Sequence, residues 1–476
     1  MDNVLYIVSL FTFLVVMLLV GFLASKKQKT AEDFYVGGRK FSTFTTTATQ
    51  IASVFGGGLM IAHVGLGYQY GFAEFIYVGV AVSLGLVLLA VLVAKWLREQ
   101  NFFTTADWMC HTYGESKSLR SITSIVSILV SLGWWVSQPI AAGKIINVLT
   151  GIPLNWGIVI AAAIVVIYTM SGGIIAVAYT DVAQFVLMFI GIFIIFPFAI
   201  IQAGGFGEIF NSVPPENLTF TAPGEKVVWG WVLAVLPGHL VIQVLHQRIY
   251  SAKSTSAARR GLLYSAMACV IAGVWASLLG MALYTINPNI ADGEMVIPWA
   301  LTNLLPTAIG AIMLGAIVAA VISTADSAIH SATTSITRDF YQVIINPGAT
   351  DKEILTFTKY TISVLGVLGV VIGIYMPSVL GVLVLGYTLT TSGLLFPLFL
   401  GHYWSRMTKE GAIAGMIAGV STALIQSLST TIADIFMIPA IGTGLAASFI
   451  AMVTVSFLTK PRTTLTNEKP NEKMQV

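Results

Sequence analysis

Thirteen apolar runs long enough to cross a membrane fill most of this 476-residue chain. Their approximate limits are 4–24, 44–66, 72–94, 121–148, 153–172, 174–203, 228–249, 262–286, 306–337, 355–376, 378–402, 411–432 and 438–459. A bilayer core about 30 Å thick takes roughly 20 apolar residues per helix, so each run predicts a spanning helix. The runs are continuous rather than alternating, which predicts an all-α membrane protein and not a barrel. Charged residues make up only 9% of the chain, against about a quarter in a soluble domain. Water-soluble enzymes, nucleic-acid binders and disordered chains are thereby excluded. The N-terminus carries Asp2 and no basic n-region, so the first run is expected to be an uncleaved span. Cys110 and Cys269 lie in different segments and are expected to be small apolar residues without a disulfide.

The basic residues test the span count. With the N-terminus outside, every second loop is cytoplasmic and should be rich in lysine and arginine. Those loops and the tail collect 22 of the 24 basic residues, Arg248 among them, with Lys144 and Lys226 as the exceptions. A wrong count would scramble the pattern beyond the error. The C-terminus is therefore expected inside, in a plasma (inner) membrane, with lipid as the surrounding partner and no nucleic-acid or obligate protein partner. The short polar tail is expected to be disordered.

Two runs are interrupted. The second carries Gly56, Gly57 and Gly58 in mid-membrane, and the seventh carries Pro237 and Gly238. Both sequences weaken a helix, and unwound backbone is tolerated in a bilayer only where protein or a watery cavity satisfies it. The breaks are five runs apart and enter from opposite sides, which predicts an inverted five-plus-five repeat with broken first and sixth core helices and a solute site between the halves. Close helix packing is the other use for such glycines. The expected organisation is a leading helix and basic loop (1–40), a first five-helix repeat (41–203), a second (204–402), two trailing helices (403–460) and the tail (461–476).

Carboxylates inside spans are costly and mark function. Glu74, Asp181 and Asp326 qualify, the last two at similar depth in the inner half of the membrane. Ser323, Thr324 and Ser327 add hydroxyls within a turn of Asp326. Hard cations take oxygen ligands, and the broken second span offers free carbonyls, so the set suits Na⁺. Serine and threonine also bond back to their own helices, which accounts for single hydroxyls. His239, Gln243 and His246 share one helical face at i, i+4 and i+7. With Tyr77, Trp134, Trp135 and Gln138 they either line a solute cavity or serve as interface aromatics and carbonyl partners.

Three motifs carry a resemblance. The stretch from Ile167 to Gly173 continuing through Ala176 to Gln184, the stretch from Gln247 to Ser254 with Ala258 to Gly261, and Ser323 to Ser327 running on to Arg338-Asp339-Phe340-Tyr341 resemble the sodium:solute symporter family, in family order. That resemblance implies the leucine-transporter-like inverted-repeat fold, with one leading and two trailing helices. It implies a Na⁺ site from the carbonyls of Ala52, Phe55 and Ala320 and the hydroxyls of Ser323 and Thr324. Some members bind a second Na⁺ at the positions of Asp181, Ser323, Asp326 and Ser327, where Asp326 departs from the hydroxyl usual in some of them. Solute contacts are expected from Val54, Leu59, Glu74, Tyr77, Trp134, Trp135, Gln138, His239 and Gln243. Asp326-Ser327 and Thr350 to Ile354 look most like the choline-transporter branch, although Val54 stands where that branch tends to have tryptophan.

The expected function is uptake of a small organic solute with inward Na⁺ by alternating access, with no enzymatic chemistry. A proton-coupled carrier and a transporter-like sensor are the alternatives. No arginine is expected in a central span to pair with an anion. Glu74 and the aromatics therefore lean towards a cationic or zwitterionic solute, such as choline or an amino acid.

Overall fold

The computed structural model describes residues 30–170, 173–429 and 438–460, with scattered positions of the first helix between 5 and 20. The rest of the first run, Lys26, Lys27 and Lys29, the motif residues Ser171 and Gly172, and the tail 461–476 lie outside the described residues. Among the described residues the chain is helical, and one isolated bridge between Phe41 and Ala252 stands in place of any sheet.

The helices that matter for the site are α1 (Thr43–Val54), α2 (Gly58–Tyr70), α3 (Ala73–Leu92), α4 (Lys117–Thr150), α5 (Leu154–Thr169) and α6 (Ile174–Gln202). They continue with α7 (Glu225–Val241), α8 (Gln243–Ser251), α9 (Thr255–Ile286), α10 (Thr307–Ser335), α11 (Asp351–Tyr375), α12 (Val379–Tyr403), α13 (Lys409–Leu428) and α14 (Ala440–Leu458). Among the described residues ten spans are long and apolar enough to cross a membrane, α7 and α8 together forming one of them, and the bent pair α1–α2 makes eleven. The sequence count of thirteen exceeds this by α5, which has only 16 residues, and by the partly described first run.

Helix starts follow side-chain chemistry. Ser42, Ser116, Ser254 and Thr408 cap α1, α4, α9 and α13 by accepting from backbone N–H groups, and Thr350 with Glu353 forms a capping box on α11. α4 stops at Gly151, whose φ of 74° suits glycine. α10 is the central element, with every residue from Met313 to Ser335 buried. Phe193, Ile201, Met267, Ile271, Val367 and Leu458 are large, apolar and exposed, as a lipid-facing surface requires. Close backbone contact of α2 with α9 depends on Gly280, where an added Cβ would overlap the backbone of Gly67 and Tyr68.

The first break falls where the glycine triplet put it. Phe55 leaves helical geometry at φ −90°, ψ 34°, and α1 and α2 meet at 52°. The second lies elsewhere. α7 runs unbroken through Pro237 and Gly238 and gives out at Ile242, which is extended at φ −72°, ψ 121°. Gly238 serves packing instead: a Cβ there would sit 2.7 Å from Tyr387 and 2.9 Å from the Thr391 hydroxyl. Thr391 donates to the Ala234 carbonyl (3.0 Å), which steadies the proline turn. At the actual break, the Leu240 carbonyl is taken by His246 Nε2 at 2.9 Å. The chain just before α1 and just after α8 is tied together, since Phe41 N–H donates to the Ser251 carbonyl and Lys253 N–H to the Phe41 carbonyl.

Candidate functional site

The α1–α2 break frees carbonyls that no helix ladder satisfies, and α10 supplies the hydroxyl that meets them. Thr324 Oγ1 donates to the carbonyls of Ser53 (3.0 Å) and Ala52 (3.3 Å). Gly56 packs so closely on Thr324 that an added Cβ would overlap its Oγ1. Phe55 lies on the break, and Ala320 lies one turn ahead of Thr324 on α10, fully buried. Ser323 donates to Asp181 Oδ1 of α6 at 2.5 Å, and Thr49 of α1 donates to Oδ2. Three helices thus gather three hydroxyls, a carboxylate and the carbonyls of a helix end in one buried cluster. Such an all-oxygen set fits a hard monovalent cation.

The residues of the candidate second ion set divide. Ser327 faces Ser53 (2.9 Å), and both accept from Arg248 of α8, the Ser53 bond measuring 2.8 Å. Arg248 Nη2 lies 4.0 Å from Asp181. Asp326 turns towards Tyr168 and Thr169 of α5, and its Oδ1 has no hydrogen-bond partner among the described residues. Arg248 is the residue that sequence reasoning assigned wrongly: counted with a basic inner loop, it is 1% exposed and sits in the polar core. Its place directly behind a broken span was the available signal. Lys144, an exception to the basic-loop pattern, is neutralised on its own side by Asp292 (2.6 Å) and Glu294 (2.7 Å).

Beside the ion site lies a small cavity with about 40 Å³ of free space, room for a few waters. Val54, Leu59, Tyr77, Trp134 and Gln138 line it, together with Phe55, His63, Leu383 and Tyr387. Gln138 also accepts from the Gly57 N–H (2.9 Å), capping the unwound turn. Leu59 and Tyr77 sit on stretches, Gly58–His63 and Ile76–Val82, that wind as π-helix, a geometry frequent at functional sites.

Four residues expected at the cavity stand elsewhere. Trp135 donates to the Leu365 carbonyl (3.0 Å) and packs on Gly369 of α11. His239 bonds the Val235 carbonyl (2.8 Å) and stacks behind Tyr387. Gln243 accepts from Thr105 N–H (2.6 Å) and donates to the Phe103 carbonyl (3.1 Å), holding the loop helix Thr105–Tyr113; His246 contacts the same Thr105. Glu74 is fully buried and reaches the cavity only through His63. Cys110 and Cys269 are buried free thiols.

A second buried polar centre lies at the N-terminal end of α4 and the C-terminal end of α10. Arg120 pairs with Asp107 (2.7 Å), Asp339 (2.9 Å) and Glu115 (2.9 Å), while Ser124 and Thr104 donate to Asp339. Burial pushes the Asp107 carboxyl up, but the Arg120 and Arg338 cations outweigh it and hold the group below its ordinary value.

A broken helix, a buried oxygen cluster and an adjoining aromatic cavity are features suited to an ion-coupled membrane transporter. Residues 34–419 match the sodium:solute symporter family. The chain is 27% identical over 463 residues to "High-affinity choline transporter 1" of Caenorhabditis elegans, covering 89% of this chain and 78% of that protein. It is 27% identical over 472 residues to "Osmoregulated proline transporter OpuE" of Bacillus subtilis, covering 95% of each. The solved structure of a Na⁺-coupled sialic acid symporter, in a substrate-bound outward-open state, superposes with a TM-score of 0.82 at 21% identity, over 97% of this chain and 99% of that one. The chain belongs to the sodium:solute symporter family. It is a multi-pass membrane transporter for which Na⁺ is the coupling ion, not an enzyme.

Proposed function

We propose that the protein takes up a small cationic or zwitterionic organic solute across the plasma membrane, driven by Na⁺ bound where α1 breaks against α10. The observation that carries this reading is the Thr324 hydroxyl seated on the Ala52 and Ser53 carbonyls. In the ion-bound state, the carbonyls of Ala52, Phe55 and Ala320 and the hydroxyls of Ser323 and Thr324 turn their oxygens to Na⁺. Bound Na⁺ then clamps α1 to α10 and favours the outward-open cavity. Its release lets the α1–α2 and α7–α8 elements rock against their scaffold. Asp181 with Ser323 is the best candidate for a second ion contact, since Ser327 is engaged by Arg248 and Asp326 faces α5.

The topology that goes with this mechanism has thirteen spans, the N-terminus outside and the C-terminus inside. A five-plus-five inverted repeat comprises residues 41–203 and 204–402, flanked by the leading helix of 1–40, the trailing pair of 403–460 and the tail 461–476. Breaks at Phe55 and Ile242 support the repeat, because each opens one half. The aromatic cavity without a lysine or arginine in its lining supports a solute bearing positive charge. Relatives named for choline and proline transport agree with that class.

Uptake of labelled proline and choline by proteoliposomes tests the coupling, with external Na⁺ replaced by N-methylglucamine at fixed pH. Loss of uptake is expected; uptake unchanged without Na⁺ but abolished by collapsing a pH gradient would mark a proton-coupled carrier instead.

A further inference from the structure

His63 on α2 lines the solute cavity, and behind it stands Glu74 of α3, fully buried. His63 Nδ1 lies 3.1 Å from Glu74 Oε2 and 3.0 Å from Oε1. The carboxyl has no other hydrogen-bond partner among the described residues. Tyr77 packs edge-on to the imidazole with ring centroids 4.6 Å apart, and its hydroxyl is buried without a partner.

Two buried ionisable groups facing only each other keep the arrangement of least net charge, because a lone charge in a poorly solvated site is costly. For this pair that arrangement holds one proton between Oε2 and Nδ1. Wherever on that line the proton rests, the tautomer is the same: Nε2 carries a hydrogen. Nε2 has no partner among the described residues, and the ring borders the cavity. The cavity is therefore offered an N–H donor from His63, an O–H from Tyr77, and the positive N-terminal end of α2 at Gly58. Trp134 and Tyr387 add aromatic rings to the same lining. Hydrogen-bond donors and aromatic rings around one cavity match a molecule with a carboxylate and an ammonium.

We propose that His63, oriented by Glu74, is the residue that anchors the solute, donating from Nε2 to a carboxylate oxygen of a small amino-acid-like zwitterion. The inference rests on the solute-uptake reading above and narrows its substrate class. Glu74 acts as a positioning residue, fixing the tautomer without touching the solute.

Thermal shift of the purified full chain, with and without Na⁺, reads solute binding against a panel. The panel contains the natural amino acids, glycine betaine, the matching decarboxylated amines, and choline. At least one carboxylate-bearing member is expected to stabilise the protein in the presence of Na⁺, and its decarboxylated counterpart is not. His63→Ala is expected to weaken that member's apparent affinity about ten- to a hundredfold, the worth of a hydrogen bond to a charged group. His63→Gln, which keeps a donor, is expected to recover most of it. Glu74→Gln, whose amide can accept or donate and so fixes neither tautomer, is expected to weaken that member's affinity and to leave stabilisation by Na⁺ alone unchanged. Stabilisation by Na⁺ alone, measured in each variant, separates a misfolded protein or a failed ion site from a failed anchor. Binding of amines or choline as tight as that of the carboxylates, no binding by any panel member, or native affinity in both His63 variants would each overturn the proposal.

Discussion

Thr324→Ala isolates the contact on which the proposed ion coupling rests. The hydroxyl has one hydrogen, shared between the Ser53 and Ala52 carbonyls at 3.0 and 3.3 Å, so in the ion-free protein it is worth about one neutral hydrogen bond, roughly 1 kcal/mol net. In the ion-bound protein the same oxygen is a ligand to a full charge, and such contacts run at about twice a neutral one, roughly 2–3 kcal/mol. The substitution costs the bound state more than the free state by about 1–2 kcal/mol, which lowers Na⁺ affinity about tenfold at 1.4 kcal/mol per factor of ten. The assay is the Na⁺ concentration giving half-maximal uptake, paired with the thermal shift that Na⁺ alone produces. Thr324→Ser keeps the oxygen and is expected to stay near native. Gly56→Ala leaves Thr324 in the sequence but drives a methyl group into its Oγ1, so it should reproduce the defect. A Thr324→Ala protein with native Na⁺ dependence would refute the reasoning.

Two further outcomes follow from the buried charges. Arg248→Met strips the cation from beside Asp181, and Asp181→Asn leaves the guanidinium unpaired, each costing roughly 3–5 kcal/mol; the double variant should recover much of the melting temperature, and simple additivity would deny the pairing. At the Arg120 centre, the lowered Asp107 carboxyl contributes stability that is fully present above its ordinary value of 3.8 and lost as pH falls below it, so Asp107→Asn should flatten the acid limb of melting temperature against pH, and an unchanged limb would reject the Arg120 contact as its source.

Local signals made much of this protein legible. The length of the apolar runs decided helices in a membrane, because backbone groups in hydrocarbon must satisfy themselves. The glycine triplet located the first break, since no neighbouring side chain is needed to weaken a helix there. Hydroxyls spaced within a turn on the ninth run marked the face of α10 that meets the broken α1 for the same reason: period and chemistry both lie along one segment. The second break escaped, because Gly238 and Pro237 act through the approach of Tyr387 and Thr391 from a span more than a hundred residues later.

Contacts between distant segments were decided only in three dimensions. Gln243 and His246 share the helical face that the sequence showed, but that face meets Thr105 of a loop helix and not the cavity. Arg248 reads as one more basic residue until α8 folds beneath α1 and turns it towards Ser53 and Ser327. His63 drew no notice as an isolated histidine; it gains meaning from Glu74, eleven positions on and brought against it by the turn between α2 and α3. Hydrophobicity and helical period are properties of a single segment and can be read along it, whereas a side chain's partner depends on how the helices cross.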